Sequence, residues 1–426
     1  MNKYLYYQEN DYELYKGKMQ EVLSTFEEGS VDSIICDPPY ELNFMGKGWD
    51  NSGVAFQKDT WEHCFKVLKE GGYLLAFGGS RTFHRIAVAI EDAGFEIRDC
   101  IMWLYGSGFP KSMNIGLAID KKLGVESEVV GKKDYTMPSK IYNINNGSGE
   151  RLDCYETQPS SNLGKKYQGW GTCLKPAYEP IIVARKPFKC SLVENIMQNG
   201  VGGLNIDECR IPTSDDLYRK PCENGSIYSQ QEKQYTTGTM NDSYKLGRFP
   251  ANVILTYDET NYEEVCGGMP TSDTPNGSAS RYFYCAKASK KDRDEGLELF
   301  ESFDGGVGAL RDGNRNNTIP KKNIHPTVKP VELMQYLVRL VTPKNGTILD
   351  CFMGSGSTGK AVMFENRERN ANYKFIGVEM TEEYLPICQS RIDYAKNKYE
   401  YELIKEKQEQ QEKGIVDIFD FLEEEN

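Results

Sequence analysis

The stretch TILDCFMGSGST, residues 347–358, decides the fold. Its first residues, Thr347 to Leu349, are apolar or β-branched and predict a short buried strand, and glycines follow at positions 354 and 356. A glycine-rich turn between a strand and a helix lets the backbone approach a ligand closely. One such turn is weak evidence alone, because glycines also serve ordinary tight turns.

An acidic residue further along the chain strengthens this interpretation. Lys374 to Val378 predicts the next strand, and Glu379 ends it, about 20 residues after the turn. In nucleoside-binding βαβ units, an acid at this place accepts hydrogen bonds from ribose hydroxyls. Turn and acid together predict a site for a nucleoside cofactor, although an isolated Glu379 would be interpreted as a solvated acid.

Helical and strand patterns alternate on both sides of these motifs. Apolar residues recur at helical spacing in four segments, 19–26, 61–68, 83–90 and 333–341. Apolar runs predict strands at 31–36, 73–77, 97–104, 347–349 and 374–378. Alternation of this kind predicts an α/β fold with a mainly parallel sheet covered on both faces.

The tetrapeptide Asp37-Pro38-Pro39-Tyr40 follows the strand predicted at 31–36, where parallel sheets place their ligands. Asp37 offers a carboxylate and Pro38 a carbonyl, while two prolines supply no N–H, so the turn is rigid and rich in acceptors. Such a turn suits an exocyclic amino group, and the Tyr40 ring can stack on an extruded base. An ordinary turn after a strand is the alternative.

Composition limits the partners. The formal net charge is −12, which argues against nucleic acid for the chain as a whole. The charge is segregated, however, because residues 398–426 hold 4 basic and 10 acidic residues, whereas 110–250 hold 19 and 16. A DNA-facing surface is therefore permitted in the middle region. Its candidate phosphate contacts are Lys165, Lys166, Arg185, Arg210, Arg219 and Arg248.

Other classes of protein are disfavoured. No cysteine lies in a CxxC pair and the chain has only 3 histidines, so we expect no metal site and interpret the cysteines as buried apolar residues. No apolar run approaches the roughly 18 residues of a membrane span. The start has neither a basic leader nor an apolar stretch, and we expect a cytoplasmic protein.

The motifs resemble the β-class amino-methyltransferases of DNA, in which a DPPY-type motif precedes a variable recognition region and FxGxGxT comes last. Here FMGSGST, residues 352–358, matches the cofactor motif, and HPTVKP, residues 325–330, matches the segment before its strand. The resemblance covers roughly residues 11–105 and 323–395. It implies a circularly permuted Rossmann-like, S-adenosylmethionine-dependent methyltransferase fold with a variable DNA-recognition region.

The resemblance also implies a division of the chain. Residues 1–105 would form the catalytic half of the methyltransferase domain and 323–397 its cofactor-binding half. The variable target-recognition region would be 106–322, with one core strand near 179–184. Residues 398–426 would be an acidic tail.

Roles for single residues follow from the same match. Asp37, Pro38, Pro39 and Tyr40 would be catalytic. The methionine part of S-adenosylmethionine would be held by Asp350, Phe352, Gly354, Ser355, Gly356 and Thr358. Glu379 would hold the ribose, Thr327 and Lys329 could reach the cofactor's carboxylate, and His325 would be structural. Two departures are Lys18, where relatives often carry an acid, and Cys351, where they often carry proline.

The acceptor and partners remain open at this stage. Asp37 as the first residue of the tetrapeptide favours adenine N6, reached by direct transfer to a flipped base in double-stranded DNA. Cytosine N4, an RNA base and a protein amide are alternative acceptors. A non-catalytic DNA-binding regulator with the same fold is the alternative of another class. A cognate restriction endonuclease is a candidate partner, and the chain could be a monomer or homodimer of bacterial or phage origin.

Overall fold

The computed structural model describes residues 2–42, 51–105, 112–138, 151–213, 246–257, 283–287, 290–298, 300–301, 303–304 and 320–398. The described residues fall into two compact units. Unit 1 lies within 1–106, 178–297 and 325–426, and unit 2 lies within 107–177 and 298–324. Arg219 and the predicted acidic tail beyond Lys398 lie outside the described residues.

The strands are β1 (Leu5–Gln8), β2 (Tyr12–Lys16), β3 (Val31–Cys36), β4 (Leu68–Phe77), β5 (Glu96–Tyr105), β6 (Glu128–Pro138), β7 (Arg151–Gln158), β8 (Tyr178–Arg185), β9 (Val253–Tyr257), β10 (Tyr284–Lys287), β11 (Phe303–Asp304), β12 (Pro320–Lys321), β13 (Thr347–Asp350) and β14 (Lys374–Glu379). The α-helices are α1 (Met19–Leu23), α2 (Lys58–Val67), α3 (Phe83–Asp92), α4 (Ile115–Leu123), α5 (Asn162–Lys166), α6 (Leu192–Asn199), α7 (Val331–Val341), α8 (Ser357–Arg369) and α9 (Leu385–Lys396).

Unit 1 is built on a 10-stranded sheet with the order β1-β2-β14-β13-β3-β4-β8-β5-β9-β10. The run from β2 through β4 is parallel, and β8 is antiparallel to both of its neighbours, β4 and β5. Strands β13 and β14 come late in the chain but lie between β2 and β3, which come early. This insertion is the permuted order that the resemblance implied, so the predicted Rossmann-like α/β fold is confirmed.

The central strands are apolar because both of their faces are covered. Every residue of β3 is buried, as are Ile348, Leu349 and Asp350 of β13. Helices α1, α2 and α3 pack their apolar faces on this part of the sheet, with Trp61 fully buried among them. The Trp61 indole N–H donates to the carbonyl of Ala55 at 3.0 Å, so burying its polar atom leaves no donor unsatisfied.

Helices and strands predicted outside the middle region coincide with elements of unit 1. The strand predicted near 179–184 lies within β8. The sequence named one core strand in this region, but β9 and β10 also join the large sheet, beside β5. Both are short, and neither shows the sustained periodicity on which the prediction relied. The division at residues 105, 322 and 397 stays a prediction.

Unit 2 contains the antiparallel pair β6 and β7 together with α4 and α5. Asp120, fully buried on α4, accepts hydrogen bonds from the backbone N–H of Ser160 at 2.6 Å and from the side chain of Ser161. Ser161 in turn caps α5, because its hydroxyl accepts from Gly164 N at 2.9 Å. Within the described parts of the chain, no helix is long and apolar enough to cross a membrane.

Candidate active site

The predicted site residues lie close together because the strands that carry them end at the same edge of the sheet. Asp37 directly follows β3, the glycine-rich turn directly follows β13, and Glu379 is the last residue of β14, so all lie at the carboxyl edge of the parallel strands. Strand β8 runs in the opposite direction, and its second residue, Glu179, therefore reaches the same edge, where it pairs in register with Trp103.

Asp37 is held by Lys329, which precedes α7. The Lys329 ammonium donates to Asp37 Oδ2 at 2.6 Å and to the Tyr40 hydroxyl at 3.2 Å. The other oxygen, Asp37 Oδ1, is buried, and none of the residues that the structure describes donates a hydrogen bond to it. Buried polar atoms in folded proteins are nearly always paired, so an orphaned carboxylate oxygen requires a functional explanation. Its geometry offers an acceptor to a donor from outside the chain.

Glu179 completes this cluster. Its Oε2 accepts a hydrogen bond from the Tyr40 hydroxyl at 2.6 Å and lies 3.4 Å from Lys329 Nζ, and Tyr105 donates to its Oε1 at 3.4 Å. Burial, together with the charges of Asp37 and Glu179, raises the pKa of Tyr40 well above its ordinary value. Tyr40 therefore remains a neutral donor at physiological pH.

Lys329 remains charged although it is buried. Burial alone would lower its pKa, but the neighbouring Asp37 and Glu179 outweigh this effect and raise it. The ammonium lies 4.9 Å from the ring centre of Phe77, 5.4 Å from that of Tyr40 and 5.9 Å from that of Trp103. The aromatic faces add cation–π stabilisation, so the structure can hold a positive nitrogen beside Asp37.

The two prolines and Thr82 fix the backbone of the tetrapeptide. Pro38 is buried and Pro39 half-buried, and neither brings an N–H into the site. The Thr82 hydroxyl donates to the carbonyl of Tyr40 at 2.8 Å. The tetrapeptide therefore presents acceptors in a rigid backbone.

In the glycine-rich turn, the Asp350 side chain is occupied by the turn itself. Its oxygens accept from the backbone N–H of Phe352 at 3.1 Å and from the Thr358 hydroxyl at 2.6 Å. Burial raises the pKa of Asp350 well above its usual value. Asp350 and Thr358 thus fasten the two ends of the turn. Phe352 packs beside Trp61, with 6.4 Å between ring centres.

The backbone of the turn requires glycine at two positions. Gly354 and Gly356 have φ of +55° and +76°, in the left-handed region. A Cβ added to Gly354 would lie 2.8 Å from His325 Nε2, and one added to Gly356 would lie 3.1 Å from Cys388 Cα. Glu379, which is buried, accepts from Gly354 N at 2.9 Å and Thr381 N at 2.7 Å. The glycines thus let His325 and Cys388 pack against the turn, and the turn lies beside the acidic acceptor that a ribose would need.

Arg391 supports the glycine-rich turn, although no pattern in the sequence predicts it there. Its guanidinium is fully buried on α9 and donates to the carbonyl of Ser355 and, at 3.0 Å, to the Ser355 hydroxyl. It also donates to the carbonyl of Asp292 at 2.8 Å. Burial lowers the pKa of Arg391 to about 10, which still leaves it charged at neutral pH. Only the tertiary structure brings Arg391 to the turn, since no local pattern marks it.

His325 lies against the turn as a neutral ring. Its Nδ1 hydrogen-bonds the carbonyl of Thr327, and its ring meets that of Tyr384 edge to face at 4.7 Å between centres. Burial lowers the pKa of His325 to about 4. A base of this kind takes up a proton only in acid, which agrees with the structural role expected for it. Thr327 itself is exposed.

The candidate DNA contacts divide into two groups. Lys165 and Lys166 are exposed on α5 of unit 2. In unit 1, Arg185 donates to Glu96 at 2.8 Å and Arg210 donates to Asp207 at 2.8 Å. The backbone of Arg248 pairs with Ile211, and its side chain is half-buried.

The two departures from the family pattern lie in different environments. Lys18 is exposed at the start of α1 and does not cap it with its side chain. Cys351 is buried, and its sulfur lies 3.8 Å from that of Cys64. Cys173 is exposed, so the expectation that every cysteine is buried was wrong for this loop residue. Among the described residues, no cluster of three or more histidine, cysteine or acidic side chains could hold a metal ion.

Sequence comparison now identifies the family. Residues 31–390 match the family model described as "DNA methylase". The chain belongs to this family. Its members depend on S-adenosylmethionine, so the β-class amino-methyltransferase resemblance and the cofactor predicted with it are confirmed.

Individual relatives differ in how much they share with the chain. It is 37% identical to the type II methyltransferase M.SfiI of Streptomyces fimbriatus, over 88% of this chain and 89% of that protein. It is 24% identical to M.HindIII of Haemophilus influenzae over 151 residues, 34% of this chain and 37% of that protein. The chain thus spans about a third of the length of M.HindIII, and matches to three other curated relatives cover 20%, 31% and 48% of theirs.

Among solved structures, the chain is similar to the cytosine-N4-specific PvuII DNA methyltransferase. The TM-score is 0.43 and the sequence identity 15%, over 92% of this chain and 89% of that one. A TM-score below 0.5 is too low to establish a shared fold, so family membership rests on the sequence matches.

Proposed function

We propose that this DNA methylase transfers a methyl group from S-adenosylmethionine to the exocyclic amino group of a base in double-stranded DNA, and that this base is adenine, methylated at N6. The observation that carries the proposal is the buried Oδ1 of Asp37, to which no described residue of the chain donates a hydrogen bond. Tyr40, whose hydroxyl is tied to Glu179, supplies a ring for an extruded base. S-adenosylmethionine, when bound, supplies the methyl group as an electrophilic sulfonium.

Part of the residue set predicted from the sequence would hold the cofactor, and part of it is reassigned. The backbone from Phe352 to Gly356 is the proposed binding segment for the methionine part, and Glu379, which accepts from Gly354 N, is the proposed acceptor for the ribose. Asp350 and Thr358 act through the shape of the turn, because their polar atoms bond to each other. The Lys329 ammonium is engaged by Asp37 and Tyr40, so we assign it to the methyl-transfer site instead of the cofactor's carboxylate.

Asp37 and Pro38 address the chemical difficulty of the reaction. An exocyclic amino nitrogen is a poor nucleophile because its lone pair is delocalised into the ring. Acceptors on its N–H bonds, the Asp37 carboxylate and the Pro38 carbonyl, raise its electron density and stabilise the positive charge that develops. The nitrogen lone pair forms the bond to the methyl carbon, the electrons of the broken C–S bond return to sulfur, and a proton is then lost to solvent. No general base is required, and the neutral His325 is not assigned that role.

Nucleoside mass spectrometry of unmethylated duplex DNA, incubated with the full chain and S-adenosylmethionine, tests this proposal. N6-methyladenine with little N4-methylcytosine is expected, because Asp37 comes first in its tetrapeptide, as in the adenine-specific enzymes that it resembles. Predominant N4-methylcytosine would change the assigned acceptor to cytosine N4 but would leave the amino-methyltransferase assignment standing. DNA without either base would contradict the assignment and favour a non-catalytic DNA-binding regulator. Methylome sequencing of a host expressing the chain would give the target sequence.

Several finer points stay predictions. They are the cytoplasmic location, a cognate restriction endonuclease, the oligomeric state and the use of residues 106–322 for target recognition. A second acceptor, cytosine N4, presents the same arrangement of N–H bonds to Asp37 and Pro38. The preference for adenine therefore depends on the shape of the pocket around Tyr40.

A further inference from the structure

Glu179 reaches the methyl-transfer site through an antiparallel strand. Strand β8 lies between β4 and β5 and runs against both, so its first residues face the carboxyl ends of its neighbours. The Glu179 side chain is only 20% exposed there. A half-buried acid needs partners.

Its partners are residues of the methyl-transfer site. The Tyr40 hydroxyl donates to Glu179 at 2.6 Å, Tyr105 donates at 3.4 Å, and Lys329 lies 3.4 Å away. The contact with Tyr40 fixes the outer edge of the ring that would stack on the base. A ring held at both its backbone and its hydroxyl has less rotational freedom to lose when the base arrives.

Glu179 determines the net charge of the cluster that it forms with Asp37 and Lys329. Asp37 and Lys329 alone would cancel, because one carboxylate faces one ammonium at 2.6 Å. The carboxylate of Glu179 makes the cluster negative overall. Methyl transfer moves positive charge onto the amino nitrogen, and a site of net negative charge stabilises that change more than a neutral one.

We propose that Glu179 is a positioning residue for methyl transfer: it keeps the cluster negative in the presence of Lys329 and fixes the ring of Tyr40. The inference rests on the proposed function. It assigns Glu179 to catalysis through its neighbours, since no step requires it to touch the reacting atoms.

Glu179→Gln tests the charge, because glutamine keeps an acceptor for the Tyr40 hydroxyl. The single-turnover transfer rate at saturating DNA and cofactor should fall by about 10- to 100-fold, less than for a group that touches the reacting atoms. Cofactor affinity should change by less than about twofold, since Glu179 does not contact the turn. Glu62→Gln, an exposed substitution on α2, is the matched control and should transfer like wild type.

A double variant separates charge balance from a merely structural role. Lys329→Met combined with Glu179→Gln leaves Asp37 as the only charge of the cluster, so the cluster is negative again. The double variant should therefore transfer faster than Glu179→Gln alone. A rate equal to or below that of Glu179→Gln would overturn the charge-balance role, because independent structural losses would add.

A titration of Lys329 supplies a readout without DNA or cofactor. In the full chain labelled with ¹³C at lysine Cε, with the signal assigned from Lys329→Met, Glu179→Gln should lower the pKa of Lys329 because one of the two carboxylates that raise it is lost. An unchanged pKa would overturn the inference. If wild type transfers no methyl group to DNA while this pKa falls, the proposed function fails but the electrostatic coupling stands.

Discussion

Strands β3 and β13 are parallel neighbours in the sheet. Asp37 directly follows β3 and Asp350 is the last residue of β13, so both acids lie at the same edge of the sheet. They nevertheless differ in how their oxygens are used. Asp350 accepts hydrogen bonds on both oxygens from its own turn, from Phe352 N and the Thr358 hydroxyl. Asp37 accepts from Lys329 on one oxygen, and its other oxygen is buried with no donor in the described part of the chain.

For these two residues, the difference separates an acid that builds the turn from an acid that is left open to a ligand. A buried acceptor without a donor costs about 1–3 kcal/mol. Folded proteins retain such an unfavourable group at sites where a bound ligand supplies the missing donor. Asp350 incurs no such cost, and it shapes the turn that we propose as the cofactor's binding segment. Asp37 is the acceptor that an incoming amino group would complete.

The largest effect should come from removing the open acceptor. Asp37→Ala should lower the single-turnover transfer rate by about 10²–10³, because one preorganised group at the reacting centre is lost. Cofactor affinity by calorimetry should stay within about twofold of wild type. Asp37→Asn, which keeps the shape of the side chain, is the control for folding. Wild-type turnover in both variants would remove Asp37 from the mechanism.

Substitutions at the proposed cofactor-binding residues should lower the affinity for S-adenosylmethionine. Glu379→Ala should weaken S-adenosylmethionine binding by roughly 1.5–3 kcal/mol, about 10- to 100-fold, if a charge-assisted hydrogen bond to ribose is lost. Gly354→Val should also weaken it, since a Cβ there meets His325 at 2.8 Å. Equilibrium dialysis with labelled cofactor measures both. Unchanged affinity in two variants that melt like wild type would place the cofactor elsewhere.

Substitution of Asp350 should act mainly on the stability of the fold, and on methyl transfer only through the turn. In Asp350→Asn one position becomes an N–H donor, so either Phe352 N loses its acceptor or the Thr358 hydroxyl must accept instead of donating, and we expect a loss of about 1–3 kcal/mol in the free energy of unfolding. Urea unfolding measures it. Thr358→Val, which removes one of these two hydrogen bonds, should cost less. Full stability in Asp350→Asn would mean that the turn does not depend on this residue.

A smaller effect should appear with pH at His325. Its pKa in the folded chain is about 4, below its usual 6.5, so protonation favours the unfolded state. The stability linked to His325 is complete above pH 6.5 and is lost as the pH falls from 6.5 toward 4. His325→Asn should flatten the stability curve in this window relative to wild type. Parallel curves between pH 7 and 4.5 would contradict the assignment.

The same contrast, between groups already paired within the chain and groups open to a ligand, predicts which basic residues contribute more to DNA binding. Arg210 is bound by Asp207, whereas Lys165 and Lys166 are exposed. If the lysine pair contacts phosphates, Lys165→Gln with Lys166→Gln should reduce the slope of log affinity against log salt by about 2. Arg210→Gln should reduce it by less, because Arg210 must first give up its ion pair. Identical slopes for all variants would place DNA on another surface.

The sequence predicted much of this arrangement because strong local patterns carry it. Apolar runs predicted β3, β13 and β14, and the residues that follow them could be assigned to one sheet edge from parallel topology alone. Glu179 was not foreseen, because its role depends on β8 entering the sheet antiparallel, which an apolar run does not reveal. Lys329 was expected at the cofactor's carboxylate, but its contact with Asp37 spans 292 residues of chain. Long-range pairings of this kind leave no periodic signal.

The most direct test is a crystal structure of the full chain with target duplex DNA and a cofactor analogue that cannot donate a methyl group. The proposed mechanism predicts a flipped base whose amino nitrogen lies within about 2.7–3.2 Å of Asp37 Oδ1, with the ribose of the analogue on Glu379. A bound complex in which the base remains stacked, or in which Asp37 Oδ1 still lacks a donor, would contradict the central claim.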